Sequence, residues 1–212
     1  TTAAPLITAS ETKSLVFMTS ESCRVTVDKA NGLLEPARLC ASPNCDARPD
    51  GAEPTMIVVH GISLPPGQFG GPEIEALFTN TLDWEAHPYF GEIRGLEVSS
   101  HLLIRRDGSV VQFVPFGERA WHAGESFFRG QHRCNDFSVG IELEGEDETP
   151  YDDRQYEALQ GVILALCAAY PAISPREVAG HSDIAPGRKT DPGPAFDWFR
   201  LYDGLVEDNE PV

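Results

Sequence analysis

The sequence predicts a single α/β domain, a mixed central β-sheet with α-helices packed against it. Three observations carry that expectation. Met56–Ile57–Val58–Val59 is an unbroken apolar run, mostly β-branched, the mark of a strand buried on both faces. Phe137, Val139, Ile141 and Leu143 alternate with Ser138, Gly140, Glu142 and Glu144, the period of a strand with one apolar and one polar face. Tyr156, Leu159, Ile163, Leu166 and Tyr170 recur at helical spacing behind Asp152–Asp153, whose charges suit a helix N-terminus, and Pro171 stops the helix.

The totals agree. A chain of 212 residues, 41% hydrophobic, is long enough and apolar enough for one domain with a real core. No apolar run approaches the roughly 20 residues of a membrane helix, so no membrane partner is expected. A formal net charge of -17 repels phosphate backbones and argues against nucleic acid. The five cysteines, Cys23, Cys40, Cys45, Cys134 and Cys167, show no CxxC spacing and suggest no structural zinc knuckle. Reduced thiols in a cytosol are the default, and a Cys40–Cys45 bridge is the alternative that would imply an oxidising compartment.

In chain order, residues 1–23 are rich in Thr, Ser and Ala and read as a flexible N-terminal tail, with the domain over residues 24–212. No basic start precedes a long apolar region, so a signal peptide fits poorly. Residues 24–54 read as an irregular lead-in wrapped on the domain. The first buried strand then ends at His60, where a sheet meets a cleft. Ile74, Leu77 and Phe78 mark a short amphipathic helix. Residues 79–97, with Trp84, His87, Tyr89 and Phe90, form a long loop whose aromatic content suits an ordered cleft wall. Ser99 to Pro115 reads as a hairpin turning at Asp107–Gly108. In the alternating strand the small Ser138 and Gly140 leave room beside Glu142, as in a strand flooring a pocket. Residues from about Ala195 to Leu205 form the last helix.

The chemistry concentrates between Gly180 and Pro194. His181, Lys189 and Asp191 share a short loop stiffened by Pro186, Pro192 and Pro194. Such stiffness helps two donors aim at one point about 2 Å away, so His181 and Asp191 are candidate zinc ligands. A catalytic zinc usually takes three protein ligands and keeps one position for water, and His60 is the candidate third. Two imidazoles and a carboxylate suit zinc, which polarises a carbonyl and lowers the pKa of a water. Glu142 is placed to move the proton and Lys189 to stabilise an oxyanion, parts that together describe amide hydrolysis. No HExxH helix links two of the ligands.

The motifs Val58–Val59–His60, Ile62–Ser63–Leu64–Pro65–Pro66–Gly67, Ser99–Ser100–His101, Ile104–Arg105–Arg106–Asp107–Gly108, Ala120–Trp121–His122–Ala123–Gly124, Arg133–Cys134–Asn135–Asp136–Phe137–Ser138, Gly140–Ile141–Glu142–Leu143–Glu144–Gly145 and Gly180–His181 through Gly193 resemble the AmpD-type N-acetylmuramyl-L-alanine amidases. These belong to the zinc amidase family that also includes phage T7-type lysozyme and peptidoglycan recognition proteins. The resemblance spans roughly residues 27 to 205.

It implies the fold of that family and one Zn2+ on His60, His181 and Asp191. It implies Glu142, rather than Glu144, as catalytic acid/base, Lys189 in the transition-state role, and Trp121, Arg133 and Asn135 lining the substrate cleft. His101 and His122 become structural or neighbours of the ligands, while His87 and His132 receive no role. The implied reaction cleaves the amide between the lactyl group of N-acetylmuramic acid and L-alanine, preferentially in 1,6-anhydro-muropeptides recycled in the cytoplasm, by a monomer. Two alternatives are a secreted amidase acting on intact peptidoglycan and a muropeptide-binding module that does not cut. Gly61 departs from the Asn of many relatives. Glu97 replaces a basic residue of some, which leaves Arg94 or Arg133 to meet a peptide carboxylate.

Overall fold

A computed structural model of the chain describes residues 25–207, so the expected tail over residues 1–23 lies outside the described residues. The centre is a six-stranded mixed sheet. Its strands are β1 (Arg38–Leu39), β2 (Met56–Ile62), β3 (Leu102–Ile104), β4 (Val110–Gln112), β5 (Ser138–Glu144) and β6 (Val178–Gly180), in spatial order β6-β2-β5-β3-β4-β1. β5 pairs in parallel with both β2 and β3, β6 is parallel to β2, and β3 and β4 form the predicted antiparallel hairpin. Its loop runs through Gly108 at φ +83, a conformation that favours glycine. The helices are α1 (Glu73–Phe78), α2 (Pro88–Glu92), α3 (Asp153–Ala169), α4 (His181–Ile184) and α5 (Trp198–Glu207).

β2 is buried throughout its apolar run, as its composition requires, and extends past His60 to Ile62. β5 departs from the half-exposed strand that its alternation suggests, because every residue from Ser138 to Glu144 is buried. Val139, Ile141 and Leu143 pack with Leu159, Ile163 and Leu166 of α3 in the main core. The polar face is covered by loops that carry the candidate site. α3 starts with a reciprocal cap: Arg154 N donates to Asp152 Oδ1, and Asp152 N donates to Gln155 Oε1. Gln155 Nε2 in turn donates to the carbonyls of Glu144 and Ile104, which ties the helix start to the ends of β5 and β3.

The lead-in is more ordered than its sequence suggests. Thr26–Asp28 pairs with Leu33–Glu35, β1 closes one edge of the main sheet against β4, and Cys45–Ala47 pairs with Glu118–Ala120. Segments of two or three residues are too short for any periodicity to register. Within the expected loop over residues 79–97, α2 forms one turn, capped by His87 Nδ1 accepting from Tyr89 N at 3.2 Å. Cys40, Cys45, Cys134 and Cys167 are free thiols, so Cys40 and Cys45 are not bridged.

Candidate active site

The register of the two longest strands creates the site. In the parallel ladder His60 of β2 lies directly beside Glu142 of β5. Residues level with one another on neighbouring strands point to the same face, so an imidazole and a carboxyl separated by many residues in sequence share one floor. β6 runs on the other side of β2 and delivers His181 as the first residue of α4. The loop that follows folds back. Ser182 N donates to the carbonyl of Asp191 at 3.0 Å, which returns Asp191 to His181.

Three ligand atoms converge. His60 Nδ1 lies 2.9 Å from His181 Nδ1 and 3.2 Å from Asp191 Oδ2, and His181 Nδ1 lies 3.1 Å from the same oxygen. His181 Nε2 meets the carbonyl of Ala123 at 3.3 Å. A carbonyl only accepts, so the proton sits on Nε2 and Nδ1 offers a lone pair to the cluster. Burial, against the pull of Asp191, pushes His60 down to about 4, so its ring is neutral, as a metal ligand must be. Donors about 2.0–2.1 Å from a tetrahedral zinc lie about 3.3 Å apart, close to the spacings seen. Lone pairs packed together this way repel one another unless a cation lies among them. The set fits a zinc ion.

Glu142 and Glu144 have opposite surroundings on the same face of β5. Glu144 is saturated: it accepts from Arg105 Nη1 at 2.9 Å, Gly70 N at 2.6 Å and Arg106 N at 3.2 Å. Glu142 is 8% exposed, and its Oε2 has no hydrogen-bond partner among the described residues. Burial raises its carboxyl well above the usual range, the Asp191 charge adds to that, and Lys189 opposes it. A buried acid with a free oxygen and a raised proton affinity is suited to proton transfer.

A cavity of about 200 Å³ opens beside the cluster. His60, His181, Asp191, Glu142 and Lys189 line its polar end, and Tyr89, Ile93, Leu96 and Trp121 give it an apolar wall. Trp121 is therefore part of the cavity wall. Arg133 and Asn135 do not line this cavity. Arg133 is exposed and paired with Asp136 at 3.2 Å. Asn135 Oδ1 accepts from His122 N at 3.1 Å and from Ala123 N at 2.7 Å. Arg94 pairs with Glu85, and neither arginine is among the residues that line the cavity.

Several supports of the site have no local signature in the sequence. Arg48, in the lead-in, is 4% exposed and donates to the carbonyls of Phe116, Asn135, Asp136 and Ser138, which staples the loop behind the cluster. Tyr151 Oη donates to Pro192 O at 3.0 Å, next to Asp191. That hydroxyl needs a glycine at residue 61, where a Cβ would stand 2.3 Å from Tyr151 Oη. The departure at Gly61 therefore matches the tyrosine packed against it. His101, fully buried, accepts at Nδ1 from Gly140 N, while His122 lies 2.9 Å from His60, so both are bound into the framework.

Fold and site together define an α/β amidase, and the chain belongs to the N-acetylmuramoyl-L-alanine amidase family, whose profile matches residues 50–194. Within that family it is of the AmpD type. It is 59% identical over 180 residues to the 1,6-anhydro-N-acetylmuramyl-L-alanine amidase AmpD of Enterobacter cloacae, covering 85% of this chain and 96% of that protein. It is 61% identical over 170 residues to AmpD of Escherichia coli strain K12, covering 80% of this chain and 92% of that protein. Its structure matches a crystal structure of AmpD with a TM-score of 0.82 at 57% identity, over 84% of this chain and 98% of the other. A more distant match, TM-score 0.51 at 31% identity over 74% of this chain and 60% of the other, is E. coli AmiD in complex with the substrate anhydro-N-acetylmuramic acid-L-Ala-D-gamma-Glu-L-Lys.

Proposed function

We propose that this amidase hydrolyses the bond between the lactyl carbonyl of 1,6-anhydro-N-acetylmuramic acid and the amine of L-alanine in soluble muropeptides, as a step of cell-wall recycling. It uses one Zn2+ held by His60, His181 and Asp191 and acts in the cytoplasm as a monomer. The single observation behind the chemistry is the buried Glu142, whose Oε2 has no hydrogen-bond partner among the described residues, beside three convergent metal-binding atoms. The substrate reading leans on AmpD relatives matched over nearly their whole length. No helix of the described residues is long and apolar enough to cross a membrane.

When bound, zinc supplies Lewis acidity that polarises the scissile carbonyl and acidifies a water. The chain's residues do the rest. Glu142 takes the proton of the attacking water and delivers it to the departing alanine nitrogen as the C–N bond breaks, leaving a lactyl carboxylate and a free amine. Lys189, at the cavity edge, faces the carbonyl oxygen as it gains negative charge and stabilises it. Trp121, Tyr89, Ile93 and Leu96 exclude water from one side of the bond and seat the muramyl portion.

A pure muropeptide-binding module has no use for a buried acid with a raised proton affinity beside a metal set. Incubating zinc-loaded protein with a defined anhydro-muropeptide, and separately with intact sacculi, separates the readings by mass spectrometry. Chelator-sensitive release of the peptide from the soluble fragment is expected. Cleavage of sacculi with the fragment left intact would instead establish the wall-directed alternative.

A further inference from the structure

The hydrogen bonds behind His60 run in one direction only. Ser138 Oγ has one proton and donates it to the carbonyl of Cys134 at 2.6 Å. Toward His122 Nε2, at 3.1 Å, the hydroxyl is therefore an acceptor, and that nitrogen carries the proton. His122 Nδ1 is then a bare lone pair, 2.9 Å from His60 Nε2. His60 must donate from Nε2, which leaves its Nδ1 unprotonated and aimed at His181 and Asp191.

We propose that His122, oriented by Ser138 and seated over Gly140, is a positioning residue that fixes the tautomer and aim of His60. The proposal rests on the reading of His60 as a metal ligand. Three further observations support it. Cys134 and Ser138 are fully buried and His122 is 8% exposed, so water does not readily replace a missing partner. The ring has a made-to-measure seat: a Cβ on residue 140 would lie 2.5 Å from His122 Cγ. The backbone beneath the ring is pinned as well, through the bonds from His122 N and Ala123 N to Asn135 Oδ1. In the opposite tautomer a proton on His60 Nδ1 would occupy the metal position and two lone pairs would face each other behind it. Partners of this kind orient ligands and typically change metal affinity ~10–100-fold.

The test uses the full chain, with zinc affinity measured by competition against a chromophoric chelator and folding followed by circular dichroism. His122→Ala is expected to weaken zinc binding ~10–100-fold and Ser138→Ala in the same direction, while His122→Gln, which again offers an acceptor to His60 and a donor to Ser138, recovers part of the loss. Long-range 1H–15N correlation spectra of the zinc-loaded wild type are expected to place the His60 proton on Nε2. A proton on Nδ1 overturns the proposal, as do folded His122→Ala and Ser138→Ala proteins that bind zinc as the wild type does. Should His122→Ala fail to fold, the wild-type spectrum and Ser138→Ala decide alone. His60→Ala separates the two levels. If it keeps wild-type zinc affinity, the ligand assignment itself falls. If it loses zinc while the His122 and Ser138 variants do not, only the positioning role falls.

Discussion

Replacing Glu142 by Gln keeps the volume of the side chain and removes its capacity to carry a proton. Glu142 supplies none of the three convergent atoms, so the variant is expected to hold zinc at the wild-type stoichiometry. Turnover of an anhydro-muropeptide should fall ~10²–10⁴-fold, the range for loss of a general acid/base, which corresponds to about 3–5 kcal/mol of barrier. The same substitution has a signature that does not depend on catalysis. Burial raises the folded-state affinity of Glu142 for its proton above that of the unfolded chain, whose value is near 4.5. Between that value and the raised folded one the native state binds the extra proton, so this group's contribution to stability is fully present at low pH and is lost as pH rises. The slope reaches at most about 1.4 kcal/mol per pH unit for one group. Gln does not titrate, so with zinc removed from both proteins the variant should gain on the wild type as pH climbs above about 4.5. Denaturant titrations at several pH values, beside mass-spectrometric time courses of the zinc-loaded proteins, measure both effects. A Gln variant within about twofold of wild-type turnover would refute the acid/base role, since it sits far outside the expected range. Parallel stability curves would refute the raised proton affinity.

His181→Ala removes one of three convergent donors and leaves two, fewer than the three protein ligands a catalytic zinc usually takes. It should abolish stoichiometric zinc, read by metal analysis after dialysis, and activity should disappear with the metal. Lys189→Met should leave zinc in place and lower kcat ~10²–10³-fold with a smaller effect on KM, measured by steady-state kinetics. Tyr151→Phe deletes the hydroxyl that holds Pro192 O and should cost about 1 kcal/mol in chemical denaturation while the fold persists.

Much of this molecule is readable in one dimension. The apolar run of β2, the hydrophobic set of β5 and the period of α3 announce themselves because each side chain's environment repeats with the local backbone. The loop from His181 to Asp191 is legible for a related reason: both candidate ligands and the prolines that stiffen it lie within a few residues. Other features have no such local trace. β1 is two residues long, and its place at the sheet edge comes from pairing with β4. Arg48 reads as an ordinary cation until four carbonyls are found around it. Nothing local in the sequence shows that Asn135 Oδ1 accepts from the backbone N–H groups of His122 and Ala123.

By itself the sequence determined the fold class, the main elements and the kinds of atoms available for the chemistry, because those follow from composition and from short-range periodicity. Only the tertiary structure decided which atoms meet. The parallel register of β2 and β5 puts His60 beside Glu142, donors from Arg105, Gly70 and Arg106 saturate Glu144 while Glu142 Oε2 has no partner among the described residues, and a chain of buried donors and acceptors turns one face of His60 toward His181 and Asp191. Those outcomes depend on contacts between segments far apart in the chain, where directional hydrogen bonds and close packing, rather than any residue's own preference, select a single arrangement.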